Sequence, residues 1–288
     1  MEHAPLLIRP LATIDEYRAV HDVHRAAWNT ADPTDLVPLH VLITAQKNGG
    51  LVAAAFAPDG HMIGFVFGFI GQSGSGRFKH CSHMMGVRPE ARTGGVGYQL
   101  KLFQRRYVQK QGFDLITWTY DPLEPRNARL NIAKLGAVTR TYYFNHYGEW
   151  LDGIHRGLPT DRFEVEWWIN SDHVRERVEV GYVARTWDDV RHAPRVLTAA
   201  ADLTAPPIPA PLPGDAPMVL IEIPADFQAV KAASLEAARA WRRETAHTFS
   251  ELFGRGYALT DFMSVGEGPN RHNYYVAECD LAWLPAQS

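Results

Sequence analysis

The chain has 288 residues, of which 46% are hydrophobic and 21% charged, and a formal net charge of −3 with its basic residues scattered rather than blocked. This length and composition suit one large or two modest globular domains with a full core. The absence of a basic patch argues against a nucleic-acid partner, and apolar runs such as "LVAAAFA" are far too short to span a bilayer, so neither nucleic acid nor membrane is expected.

The two cysteines, Cys81 and Cys279, stand far apart in neither metal-like nor redox-like spacing. That usage fits a reducing compartment. The opening "MEHAPLLIRP" has no basic leader and no sustained apolar stretch, which makes the cytoplasm the expected location.

In chain order, "LLIRPL" reads as a strand, and Thr13 or Asp15 can cap a helix whose apolar face holds Tyr17, Val20, Val23, His24 and Ala27 and which ends near Trp28. Two apolar runs around "PDG" in "LVAAAFAPDGHMIGFVFGFI" predict a β-hairpin. "KHCSHMMGV" is a third strand stopped by Pro89, and after a glycine cluster Val96, Leu100, Phe103 and Tyr107 mark one apolar helix face that ends at Gln111 and Gly112. "DLITWTY" reads as a buried strand, residues 127–135 as a short helix closed by Gly136, and "RTYYFNHYG" and "FEVEWWI" as two more strands. Six prolines between Pro206 and Pro217 predict a linker. Beyond it "MVLIEIP" reads as a strand, residues 226–256 as one long helix, and "RGYALTDFMS" and "NYYVAE" as strands. The order argues for an α/β chain with a mixed sheet and helices on its faces.

The segment "RTGGVGYQLK" places three glycines in four positions directly before a helix. A helix N-terminus offers unpaired N–H groups and about half a positive charge, and glycines let an anion come close to them. A left-handed turn is the plainer use of such glycines. A Walker loop needs Gly-Lys-Ser/Thr, and "GGVGYQ" has neither the lysine nor the hydroxyl. A dinucleotide fingerprint would draw on Asp121, about twenty residues further on, but seven residues separate Val87 from Gly95 and Leu100 stands at the third glycine position.

Arg92, Gly95 and Gly97 match the Arg/Gln-x-x-Gly-x-Gly/Ala pyrophosphate loop of the GNAT superfamily of N-acetyltransferases. The "VRPEARTGGVG" exit from a strand, the amphipathic helix, the buried strand and the short helix ending "KLGA" follow in the order of that family, which residues 5 to about 170 resemble throughout. The resemblance implies a mostly antiparallel GNAT-like sheet with flanking helices and an acyl-CoA cosubstrate, acetyl-CoA or succinyl-CoA, with no metal. It implies that the N–H groups of Thr93, Gly94, Gly95, Val96, Gly97 and Tyr98 hold the pyrophosphate, that Met85 and Val87 pair through their backbone with the pantetheine arm, and that Asn127 steadies that arm. Arg92 is also a cation beside an anion-binding helix end on its own physical terms.

Transfer to an amine needs a proton acceptor and donors for the oxyanion. His83, on the strand beside the expected thioester, is the leading base by virtue of an ordinary pKa near 6.5, against the alternative of a packed core histidine. His80, Cys81 and His83 make a poor metal set because neighbouring strand residues point to opposite faces. Asp121 is a candidate to orient or deprotonate the amine, or simply to cap the turn before Pro122. Tyr143, with Tyr142 and His146, belongs either to the acceptor wall or to a half-buried aromatic strand. Ile132 stands where many family members carry a tyrosine acid. Arg126, Arg129 and Arg140 are eligible cations for a succinyl carboxylate.

Comparison of "KQGFDLITWTY" with "FGRGYALTDFM" makes the C-terminal unit a smaller α/β, half-GNAT-like copy without a glycine loop. The expected division is residues 1–170 as the acyl-CoA-binding catalytic domain, 171–217 as the connecting segment, and 218–288 as the degenerate half, with a structural or homodimer-forming role or as a wall of the acceptor pocket. The "SHMMGV" strand, the "DPL" turn and this extension resemble the GNAT acyltransferases found with N-acylamino-acid racemases. That resemblance implies a small-molecule amine, an amino acid, as acceptor. Acylation of a peptide terminus and a non-catalytic acyl-CoA sensor are the alternatives.

Overall fold

A computed structural model describes residues 6–29, 33–148 and 157–286 of the protein. The chain divides into two compact units, Met1–Trp118 and Thr119–Gln287. Both are mixed α/β, with sheets that are antiparallel at most pairings.

The first unit runs β1 (Leu7–Pro10), α1 (Ile14–Trp28), α2 (Leu39–Lys47), β2 (Leu51–Phe56), β3 (Met62–Gln72), β4 (Phe78–Val87), a 3-10 turn (Pro89–Gly94), α3 (Val96–Lys110) and β5 (Leu115–Tyr120), the last crossing the boundary. Strands lie in the order β1-β2-β3-β4-β5. The first four pair antiparallel, while β5 lies parallel to β4. Helix α3 is therefore a crossover between two adjacent parallel strands.

Helices cover both faces of this sheet. Tyr17, Val20 and Val23 of α1 and Leu42 of α2 pack with Phe65 and Phe67, while Val96 and Leu100 of α3 pack with Leu51, Ala53, Ala55 and Val66. Every residue of β2 is buried, so "LVAAAF" is an unbroken apolar run rather than an alternating one. Thr13 is the N-cap of α1 and closes a capping box with Glu16, whereas Asp15 lies inside the first turn. Helix α2 has no counterpart in the sequence reading: it carries β-branched Val41, Ile43 and Thr44 and fully buries only Leu42, so its periodicity is faint.

In the second unit, α4 (Pro125–Ala128) continues as a π-helical turn (Arg129–Lys134) to Gly136, whose φ of +67° ends it as expected. Then come β6 (Val138–Tyr143), β7 (Arg162–Trp168), α5 (Asp172–Arg175), α6 (Trp187–Val190), β8 (Arg195–Thr198), the two-residue β9 (Ile208–Pro209), β10 (Met218–Ile223), α7 (Phe227–Ala233), α8 (Leu235–Gly254), β11 (Ala258–Val265) and β12 (His272–Glu278). Their order is β7-β6-β11-β12-β10-β8-β9. The expected single helix over 226–256 is two helices, because Ser234 adopts an extended conformation and caps the second through the Ala237 N–H. The strands that flank these helices, β10 and β11, are separated by β12, whereas β4 and β5 are direct neighbours.

Glycine makes one close approach in the first sheet possible. A Cβ on Gly68 would meet the His80 ring and stand 2.7 Å from the Cys81 carbonyl oxygen. Gly68→Ala is expected to lower the unfolding free energy by about 1–3 kcal/mol through overpacking at the β3–β4 pairing, measurable by urea denaturation.

Candidate active site

Strand β4 carries the irregularity on which the site is built. Phe67 of β3 pairs with Met84 and Gly68 pairs with Ser82, so His83 is the extra residue of a β-bulge. His83 and Met84 consequently share a face: His83 stands by the rings of Phe67 (5.7 Å) and Phe69 (5.9 Å), and Met84 packs into the α1/α2 core. Met85 and Val87 pack on the α3 side instead. His83 keeps an exposed edge, but its surroundings lower its pKa below the ordinary value through partial burial.

Beside the bulge, β4 loses its neighbour. The parallel pairing of β4 with β5 consists of His80 with Ile116 and Cys81 with Thr117. Beyond Cys81 alternate residues of β4 direct backbone N–H and C=O groups toward the side where this pairing has stopped.

The chain then turns through Pro89–Gly94 to α3. Gly95 is the N-cap in the left-handed region at φ +71°, no side chain caps the helix, and a Cβ on Gly95 would meet nothing within 4 Å. The first-turn N–H groups therefore open on a loop without steric cover. Thr93, Gly94 and Gly95 are exposed, Gly97 and Tyr98 are half-buried, and the Val96 side chain is buried in the core. The Arg92 guanidinium donates to the carbonyl oxygens of Ala27 and Val87, which ties the loop to the end of α1 and the end of β4. Trp28 adds a second tie, since a Cβ on Gly86 would lie 2.8 Å from its ring.

Behind the bulge lies a buried polar cluster that the sequence reading missed. The Lys101 ammonium donates to Ser82 Oγ (2.8 Å) and Gln104 Oε1 (3.1 Å) and sits 3.7 Å from the centre of the Trp118 ring. With its oxygen so used, Gln104 donates through Nε2 to His80 Nε2 (3.1 Å), which leaves the proton of a neutral His80 on Nδ1, where no partner meets it. Burial, joined by the Lys101 charge, lowers the His80 pKa to about 3, and burial lowers that of Lys101 to about 7. Lys101, Gln104, Arg105 and Val108 form a second buried stripe of α3. Their spacing of three, one and three was the available signal, but three of the four are polar.

The remaining expected residues belong to the second unit. Asp121 is buried and bound on both oxygens by Arg242 (2.6 and 2.5 Å), and it also accepts the Leu123 N–H (2.9 Å). Tyr143 donates to Glu164 (2.6 Å) and stacks on His146, and its pKa is raised by burial first and by that carboxylate second. Asn127 is exposed in the first turn of α4, and Ile132 is fully buried. Among the three arginines eligible for a carboxylate, Arg140 is paired with Glu166 (2.8 and 2.9 Å), while Arg126 and Arg129 are exposed. Among the described residues no group of His, Cys, Asp and Glu gathers as a metal site, and no helix is long and apolar enough to cross a membrane.

No protein-family model matches the chain, and no curated protein matches it in sequence. Solved structures that resemble it include N-acetyltransferases. The ribosomal-protein-S18-alanine N-acetyltransferase from Escherichia coli is 18% identical over 57% of this chain and 94% of its own, with a TM-score of 0.45. An N-acetyltransferase from Staphylococcus aureus Mu50 is 17% identical over 58% of this chain and all of its own, also at 0.45. A chain from the NatC complex bound to Gag peptide and CoA is 13% identical over 57% and 98%, again at 0.45.

The Asp121–Arg242 pair is expected to act as a stability element. Arg242→Met alone leaves a buried carboxylate uncompensated and is expected to cost about 3–5 kcal/mol. Adding Asp121→Leu to it should recover most of that loss, as read from denaturant midpoints of the single and double variants.

Proposed function

We propose that the protein is a CoA-dependent N-acyltransferase that moves an acetyl or succinyl group from acyl-CoA to the amine of a small molecule, an amino acid, by direct attack in a ternary complex in the cytoplasm. The observation that carries this reading is the adjacency, within one unit, of a strand edge that stops pairing at Cys81 and an uncapped helix N-terminus entered through Gly95. An elongated ligand with an anionic end matches both: N–H groups from Thr93 to Tyr98 for the pyrophosphate, and the backbone of Met85 and Val87 for the pantetheine amides. Arg92 then shapes the loop through its two carbonyl contacts as well as adding positive charge near it.

His83 is the proposed proton acceptor. It stands at the bulge, on the face opposite α3, and its lowered pKa keeps the imidazole neutral at pH 7. Attack of a neutral amine on the thioester carbonyl forms the new N–C bond, the C–S bond breaks, the thiolate of CoA departs, and His83 takes the proton lost by nitrogen. A backbone N–H at the bulge is the proposed oxyanion donor. The reading keeps the acyl-CoA site within the first unit and 218–288 as an accessory, dimer-forming unit. Asp121 and Tyr143 are each held by a partner within the second unit, Arg242 and Glu164.

Titration calorimetry with coenzyme A, followed by release of free thiol from acetyl-CoA and succinyl-CoA across a panel of amino acids and peptides, tests the reading. Thiol release with peptides alone would move the acceptor class, and binding without release would mark a sensor. Gly95→Asp is expected to weaken coenzyme A binding at least about tenfold, whereas Gly95→Asn, which tolerates the left-handed backbone without adding charge, should bind almost as the wild type does. The pH profile of kcat/KM should fall as pH drops through a value below 6.5, because protonated His83 cannot accept a proton. His83→Gln should abolish that limb and reduce kcat by about 10²–10⁴-fold.

A further inference from the structure

The parallel ladder of β4 and β5 ends at Cys81 and Thr117, and the next rung would be Ser82 opposite Trp118. Lys101 of α3 engages both, the first by a hydrogen bond of 2.8 Å and the second through its ring face at 3.7 Å. The ammonium thus lies at the point where the ladder stops. Only 2% of Lys101 is exposed, and among the described residues no carboxylate pairs with it. A buried cation without a counter-ion is costly, and an apolar side chain of similar length would fill the same space at lower cost. Besides its bond to Gln104 on its own helix, the ammonium acts at this rung, where an oxygen from one strand and a π face from the other both turn toward the same charge.

We propose that Lys101 is a positioning residue that sets the separation of β4 and β5, and so the width of the gap that receives the pantetheine arm of acyl-CoA. This rests on the acyl-CoA reading of the strand edge. A neutral amine keeps its hydrogen bonds to Ser82 and Gln104 but loses its attraction to the Trp118 ring. With burial bringing the Lys101 pKa to about 7, the charged form prevails below that pH and is lost above it. Coenzyme A affinity should therefore weaken as pH rises through 7. Among the described residues two ionisable groups lie around Lys101: His80 on β4, which stays neutral with a pKa of about 3, and Arg105, one turn along α3. Strands β2 and β3 and the part of β5 up to Trp118 contain no ionisable side chain.

The test is calorimetric binding of coenzyme A at pH 6 and pH 8.5 to the full-length wild type, Lys101→Arg and Lys101→Met. Lys101→Arg keeps the charge at both pH values and serves as the reference in which titration of the ligand's own phosphate cancels. The expected result is wild-type affinity equal to that of Lys101→Arg at pH 6 and several-fold weaker at pH 8.5, with Lys101→Met about tenfold weaker at both while melting no lower than the wild type. Trp118→Phe, which retains a weaker ring face, gives a second variant should Lys101→Met not fold, and its affinity should fall between the two. Wild-type binding of coenzyme A with no difference in Lys101→Met or Trp118→Phe, or with the same pH ratio in all variants, overturns the role of Lys101 and leaves the acyl-CoA reading intact. No binding of coenzyme A by the wild type at either pH overturns both.

Discussion

Buried backbone N–H and C=O groups need partners, and in the first unit that requirement is concentrated on β4. At His80 and Cys81 the strand is paired on both sides, by β3 and by β5. From Ser82 onward only β3 continues. The bulge at His83 falls at this change, and it does two things at once: it puts two consecutive side chains on the α1/α2 face, and it shifts Met85 and Val87 to the α3 face. A strand that kept strict alternation would have placed His83 and Met84 on opposite sides. The loop and α3 begin where this altered strand ends, so the helix N-terminus, the bulge and the end of the β4–β5 pairing lie close together along the chain.

The elements legible in the sequence were those whose burial is apolar and periodic. The Val96, Leu100, Phe103 and Tyr107 stripe located α3, the "PDG" turn located the β2–β3 hairpin, and Gly136 marked the end of the α4 region at a positive φ. Thr13 against Asp15 was undecidable by residue type, because both cap well, and the reciprocal Glu16 contact settles it. The features that escaped have a shared physical cause. Ser234 breaks a helix by capping a new one, which a continuous apolar pattern does not register. Helix α2 buries one residue fully, and the bulge at His83 is a matter of pairing with another strand rather than of local composition. Lys101, Gln104 and Arg105 looked like a solvated face because polar residues usually are one.

Buried charge is handled differently at different places in the chain. In the second unit Asp121 meets Arg242, and Asp261 meets Arg177 and Arg185 at 3.5 Å each with the Tyr182 hydroxyl at 3.1 Å. Removing one partner of such pairs is costly, but their joint replacement by apolar residues is often neutral, so they are weak pointers to chemistry. Lys101 has hydrogen-bond acceptors and a ring face where those arginines have carboxylates. Burial lowers its pKa to about 7, and no carboxylate among the described residues offsets that shift.

The environment of His83 also bears on the acceptor. In the proposed mechanism the amine loses its proton to a weaker base, and that transfer is less uphill from an α-amino group, of pKa about 8, than from a lysine-type ammonium, of pKa about 10.4. The cost is set by the gap between the two groups, and burial of His83 widens it for every amine alike. Under that mechanism an acceptor with the least basic nitrogen is served best, which places α-amines ahead of side-chain amines. Phe67 and Phe69 beside the imidazole give the approach to His83 an apolar wall on two sides. Such a wall lowers the pKa of an approaching ammonium for the same reason that it lowers that of the histidine, since both charged forms lose hydration there. In the proposed mechanism base and substrate are thus shifted in the same direction, and the burial that weakens His83 as a base would also favour the neutral form of the amine that the attack requires.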